Sequence, residues 1–135
     1  MDKDIIKRWE TNKQHLFEFL QNNPQQNYEY TDLIKILINE CLNYNVSTDT
    51  FSEEINIIDH GDYQGTQIFI LHKNAYQPDI DKYYCTHNYY GSCSGCDTLL
   101  AIKELNDSEF PSEEQLKGYM NLMLYLIQNI KNLNS

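Results

Sequence analysis

A chain of 135 residues with 41% hydrophobic and 22% charged side chains is long enough for one domain with a real core. Twenty Asp and Glu against ten Lys and Arg leave a formal net charge of −10. That balance lacks the cationic footprint of a nucleic-acid binder and disfavours an anionic membrane surface.

No apolar run approaches the ~20 residues of a membrane-spanning helix. The start, Met1-Asp2-Lys3-Asp4, has neither the basic nor the apolar region of a signal peptide. The expectation is a cytoplasmic protein whose four cysteines are thiols, metal ligands or redox centres rather than stable disulfides. The bias to Asn, Ile, Lys and Tyr reads as translation of an AT-rich genome.

Residues from about Asp4 to Gln21 read as a helix, with Ile5, Trp9, Leu16, Phe19 and Leu20 near one face. Asn22-Asn23-Pro24 ends it. A second helix is predicted from Thr31 as N-cap, with Asp32 well placed at its N-terminal dipole. Its apolar stripe runs Tyr30, Leu33, Ile34, Leu37, Ile38, Cys41 and Leu42, so Cys41 reads as a small buried hydrophobe. Asn43-Tyr44-Asn45 suits the helix end, and the two helices suggest an αα-hairpin.

The period then changes. Ile55-Asn56-Ile57-Ile58 is a short β-like run, and Gln67 to His72 is a second, apolar on both faces like a central strand. The link from Asp59 to Thr66, with Gly61 and Gly65, predicts a hairpin loop. Tyr83 to Tyr90 is a third strand, with Cys85, His87 and Tyr89 on one face and Tyr84, Thr86, Asn88 and Tyr90 on the other. Gly91-Ser92 turns the chain into a helix from about Ser94 to Leu105. Ser112-Glu113-Glu114-Gln115 is a capping box, followed by a stripe from Leu116 through Ile130 to Leu133. The order α-α-β-β-β-α-α predicts a single α+β domain over 1–135. It has an N-terminal αα-hairpin, a small, mostly antiparallel three-stranded sheet and two C-terminal helices.

Three groups of residues can carry chemistry. Cys93-Ser94-Gly95-Cys96 is a C-x-x-C at a strand-to-helix junction, where helix amides can favour a thiolate. The surroundings lack the βαβ unit of a thioredoxin site. The same pair with Cys85 and His87 would make a Cys₃His zinc set, with His60 as a substitute ligand. The plain reading is buried thiols, because Cys93, Cys96, Leu99 and Leu100 recur at helical spacing.

The second group is the loop, where Asp59, His60, Asp62, Tyr63 and Gln64 offer carboxylate, imidazole, aromatic and amide contacts. They could make a ligand pocket or an acid/base pair, or with His87 a small-ligand or hydrolase site, or the loop is simply a polar hairpin tip. The third is the tyrosine cluster: Tyr76, Tyr83, Tyr84, Tyr89 and Tyr90, drawn from eleven in the chain, is the composition of a contact surface or of cross-strand packing. No P-loop, dinucleotide fingerprint, G-x-S-x-G, H-E-x-x-H or EF-hand spacing occurs. No motif calls for a cofactor, and zinc is the metal that the cysteine spacing would suit.

Gly61-Asp62-Tyr63-Gln64-Gly65-Thr66 and Tyr89-Tyr90-Gly91-Ser92-Cys93-Ser94-Gly95-Cys96-Asp97-Thr98-Leu99 together resemble stretches of a group of short uncharacterised proteins carried by bacteriophages and Gram-positive mobile elements. The resemblance covers roughly the middle third of the chain and implies a small accessory protein acting inside a host cell. The expected function is binding rather than catalysis. An acidic, tyrosine-containing surface with Asp59, His60, Asp62, Tyr63, Gln64, Tyr84, Tyr89 and Tyr90 would engage a basic host protein, such as a defence or nucleic-acid-binding factor. The alternative is a zinc- or thiol-dependent protein centred on Cys93 and Cys96.

Overall fold

Helix α1, Lys3–Asn22, begins at Asp2, whose carboxylate accepts from the backbone of Asp4 at 2.9 Å and Ile5 at 3.1 Å. A carboxylate there satisfies amides with no partner in the first turn and faces the positive end of the helix dipole. The computed structural model of the protein describes residues 2–61, 65–91 and 97–134, the side chain of His60 excepted. The predicted stripe of α1 buries Ile5, Trp9, Leu16 and Leu20, while Phe19 is half-buried. Arg8 and Asn12 lie on the same stripe and are buried too.

Helix α2, Tyr30–Leu37, starts one residue before the expected cap. Its entry is closed at Glu29, whose backbone N–H donates to Asp32 Oδ2 at 2.9 Å, and Thr31 lies inside the first turn. The helix widens into a π-helical turn over Ile38–Leu42 that buries Ile38, Cys41 and Leu42.

Among the described residues the sheet has four strands in the order β1-β2-β3-β4, antiparallel throughout. They are β1, Asn56–Gly61, β2, Gly65–His72, β3, Tyr83–Tyr90, and β4, Lys131–Asn132. Asp59 and His60 are therefore strand residues, and the hairpin connection shrinks to residues 62–64. Gly61 has φ 142°, a conformation that side chains disfavour, so glycine suits the hairpin's entry.

β2 is central, as its position in the sequence suggests, but it is not buried on both faces. Phe69 and Leu71 pair with Thr86 and Tyr84 on the face the helices cover, and all four are buried. Ile68 and Ile70 are half-buried on the opposite face, and their neighbour Ile58 on the edge strand is 41% exposed. Helices on one side of an antiparallel sheet leave the other side to alternate outward, and here that side keeps isoleucines.

Helix α3 is Thr98–Lys103, four residues later than the sequence reading, because Asp97 is its N-cap. Helix α4, Glu113–Gln128, has the predicted capping box: Ser112 Oγ accepts from Gln115 N at 3.2 Å, and Gln115 Oε1 accepts from Ser112 N at 3.0 Å. Its expected extension through Leu133 fails. Asn129 ends the helix, and Lys131 and Asn132 pair with Cys85 and Tyr84 instead. An unpaired edge of β3 offers these residues backbone partners that further helix could not match. Ile130 is buried, but Leu133 is 42% exposed.

Gly118 faces Ile102, where a Cβ would come within 2.8 Å of Cγ1, so the missing side chain lets α3 lie close on α4. One hydrophobic core joins residues of α1, α2, the π-turn, the inner sheet face, α3 and α4.

Candidate functional site

Register brings the two sequence-predicted regions together. Gly65 pairs with Gly61 on one side and with Tyr90 on the other. The β1–β2 hairpin tip and the end of β3 therefore share one end of the sheet. Asp62, Tyr63 and Gln64 lie outside the described residues, as do Cys93 and Cys96. The backbone of His60 pairs with Thr66.

Two hydrogen-bonded groups flank this end. In the first, the Asp59 carboxylate accepts from the Tyr90 hydroxyl at 2.5 Å and from Gln67 Nε2 at 3.0 Å. In the second, Asp97 Oδ1 accepts from the Tyr30 hydroxyl at 2.6 Å and from Leu100 N at 3.2 Å, and its Oδ2 accepts from Gly91 N at 3.1 Å. Leu99 N donates to the Tyr30 oxygen at 3.1 Å. One carboxylate thus caps α3, clamps the end of β3 and fixes the start of α2. Burial, then the neighbouring Asp97, hold the Tyr30 phenol protonated well above the ordinary tyrosine range.

Between the two groups opens a cleft of about 330 Å³, lined by Tyr28, Glu29, Tyr30, Tyr90, Asp97 and Lys103 among others. The Lys103 ammonium donates to Asn27 Oδ1 at 3.0 Å and to the Tyr28 carbonyl at 3.1 Å. Three phenol rings, carboxylates and one tethered cation can hold a polar ligand with an aromatic-loving part.

Other expected partners are kept apart. Asp59 belongs to the row Asp59–Gln67–Asn88, and His87 to the adjacent row Ile58–Ile68–His87. Successive rows of a pleated sheet point to opposite faces, so Asp59 and His87 do not share one site. His87 instead lies edge-on between Tyr89 and Tyr125, at 5.6 and 6.1 Å between centroids.

Cys85 and His87 do share a face, as predicted. Cys85, however, is six residues before Gly91, about 20 Å along a strand. Gly91 N donates to Asp97 Oδ2 at the far end of the strand, and Cys93 and Cys96, the other two members of the expected zinc set, lie outside the described residues. Among the described residues no three His, Cys, Asp or Glu side chains gather as a metal-binding group.

The predicted tyrosine surface divides as well. Tyr84 is 5% exposed and packs edge-on to Phe51 at 5.2 Å between centroids, so it is a core residue rather than a contact residue. Tyr89 is 58% exposed on the open sheet face, and Tyr90 is half-buried beside the cleft. Cys41 is fully buried as expected, and burial pushes its thiol up to about 12.

Sequence reasoning passed over Tyr28, Glu29, Tyr30, Asp97 and Lys103. Asp97 had a signal: an Asp directly before the apolar run Leu99-Leu100 is a helix-start residue. Nothing local marks Tyr30 as its partner 67 positions away. Comparison of this chain with protein-family models, with curated proteins and with solved structures returns no match.

Proposed function

We propose that this chain is a non-enzymatic binding protein that acts stoichiometrically on a basic host protein through the acidic, tyrosine-bearing end of its sheet. The observation that carries the reading is convergence. Tyr30, Tyr90 and Asp97 come from three segments and line one open cleft, with Asp59 hydrogen-bonded to Tyr90 behind it, on a chain of net charge −10. A field of that sign steers cationic surfaces toward the protein and repels nucleic acid and anionic lipid.

The same geometry does not favour catalysis. A general base needs an accessible group titrating near neutrality. Here the carboxylates Asp59 and Asp97 already accept hydrogen bonds, and the Tyr30 phenol is held protonated. The likeness of the Gly61–Thr66 and Tyr89–Leu99 stretches to phage and mobile-element proteins supplies a setting. The protein would be an accessory factor in the cytoplasm of a bacterial host, and its target a defence or nucleic-acid-binding protein with a cationic face.

The test is to isolate the partner from host lysate and measure affinity at rising salt. The expected result is a basic protein whose affinity falls at least about tenfold between 0.05 and 0.5 M salt, as screening shortens the reach of the field. A neutral or acidic partner, or an affinity indifferent to salt, would sink the proposal.

A further inference from the structure

We infer that the cleft between α2, α3 and the end of the sheet is an anchor site for one arginine side chain. This inference rests on the reading that the partner is basic, and it adds where and by what chemistry that charge is read. The walls decide the sign of the ligand. Glu29 and Asp97 line the cleft, and Asp59 stands one hydrogen bond behind Tyr90. Lys103 is the opposing charge, and its ammonium is held by Asn27 Oδ1 and the Tyr28 carbonyl just before α2. The local carboxylate excess and the net charge of −10 both disfavour an anion.

The aromatic lining then decides which cation. Tyr28, Tyr30 and Tyr90 line the cleft, and of these Tyr90 is half-buried while Tyr28 and Tyr30 are buried, so Tyr90 offers the most accessible ring. Guanidinium is planar and weakly hydrated, so it stacks on such rings while its N–H fork addresses carboxylate or carbonyl oxygen. A lysine ammonium keeps more of its hydration and lacks the fork. A volume of about 330 Å³ accommodates the guanidinium and its methylene stem and leaves too little room for a folded segment.

Lys103 makes the inference falsifiable by sign. For a cationic ligand it is a repulsive wall, so Lys103→Met should tighten binding, whereas Glu29→Gln should weaken it. An anionic ligand reverses both.

The experiment is an amide chemical-shift titration of the full chain with acetyl-Gly-Arg-Gly-amide, its lysine counterpart and its neutral citrulline isostere. Saturable shifts are expected at Tyr30, Leu99, Leu100 and Lys103 with the arginine peptide. Binding should be about 3- to 10-fold weaker with lysine, and the citrulline peptide should give none. Glu29→Gln should weaken the arginine peptide about 3- to 10-fold, and Lys103→Met should tighten it about 2- to 5-fold, the scale of one partly screened charge. The unliganded amide spectra and thermal midpoints of both variants control for folding.

Equal binding of the citrulline peptide, reversed signs in the two variants, or no saturable shift at these amides with millimolar peptide would overturn the assignment. If the peptides leave the cleft untouched while a basic partner still binds in a salt-dependent way, the anchor falls and the functional reading stands. If the arginine peptide binds as stated but the isolated partner is not basic, the anchor stands and the functional reading falls.

Discussion

Two polar clusters join distant segments of this protein, and they differ in the groups their donors reach. At the N-terminal side, Arg8 donates to the carbonyls of Leu42 at 3.0 Å and Asp49 at 2.8 Å and bridges to Asp4 at 3.1 Å. Asn12 donates to the carbonyls of Cys41 at 2.7 Å and Tyr44 at 2.9 Å. These carbonyls belong to the end of the π-turn and the loop behind it, where a helix runs out of its own donors. The side chains of α1 therefore close the end of another helix.

At the end of the sheet the chain brings together carboxylates and phenols around a cleft. The first cluster directs its donors to backbone carbonyls, and Arg8 and Asn12 also line an open pocket with Asp4, Tyr44 and Asp49. The second directs its phenol donors to the carboxylates of Asp59 and Asp97 beside the cleft. What distinguishes the clusters is the acceptor, backbone carbonyls in the first and the carboxylates of Asp59 and Asp97 in the second.

Alkali should give the largest effect, because it deprotonates buried groups near both clusters. Burial raises Cys41 from 9.0 to about 12, and burial, then Tyr28, raise Tyr119 from 10.0 to about 12. The folded state holds these protons longer than the unfolded chain does. Their contribution is complete below pH 9 and is lost as pH climbs toward 12, at a slope of at most about 1.4 kcal/mol per pH unit for each group. Urea midpoints from pH 8 to 11 should fall accordingly. Cys41→Ala should flatten the portion that begins near pH 9, and an unaltered slope in that variant would contradict the assignment.

Arg8→Met is the next largest. It leaves the Leu42 and Asp49 carbonyls short of a charged donor and should cost about 3 kcal/mol in denaturant unfolding. Binding of a cationic partner should be unchanged once the variant is folded. A loss of less than about 0.5 kcal/mol, within the range of an ordinary surface change, would erase the difference between the clusters.

Tyr30→Phe removes one donor to Asp97 and the acceptor for Leu99 N while keeping the ring, for a loss of about 1 to 1.5 kcal/mol. Thermal unfolding measures it.

Gly118→Ala tests how the cleft's floor is supported through α3. Alanine gains about 1 kcal/mol of helix propensity, but the clash with Ile102 should cost about 1 to 3 kcal/mol, leaving a net loss of about 1. A stabilised variant would show that α3 can shift away freely.

Tyr90→Phe should be the smallest in stability, about 0.5 kcal/mol, since that pair is near solvent.

The parts legible in the sequence were those whose signal is local. α1 and α4 follow from apolar residues three and four apart, the Asn-Asn-Pro stop and the Ser112–Gln115 box, all within a turn or two of chain. β3 matches its predicted span from Tyr83 to Tyr90, and Tyr84, Thr86 and Asn88 share one face, as predicted, which is the buried one. Cys41 was legible for the same reason, since its place on an apolar stripe already implied burial.

The candidate site was half legible. Asp59 and Tyr90 were singled out, but as members of a loop and of a strand with no reason to meet. Their contact spans 31 positions and depends on the register of three strands, which no single strand encodes. Tyr84 illustrates the converse: strand alternation sorts it from Tyr89, but only packing against Phe51 decides which face is the inside.

By itself, then, the sequence determined the α+β class, the helix spans with strong stops and caps, and an acidic surface, because these depend on neighbours in the chain and on composition. Tertiary structure alone decided four things. It cut α4 short to feed β4, set Asp59 and His87 on opposite faces, tied Gly91 to Asp97 beside Tyr30, and opened the cleft. Each is a bargain between groups far apart in the chain, settled by which backbone and carboxylate partners lie within hydrogen-bond reach once the core has closed.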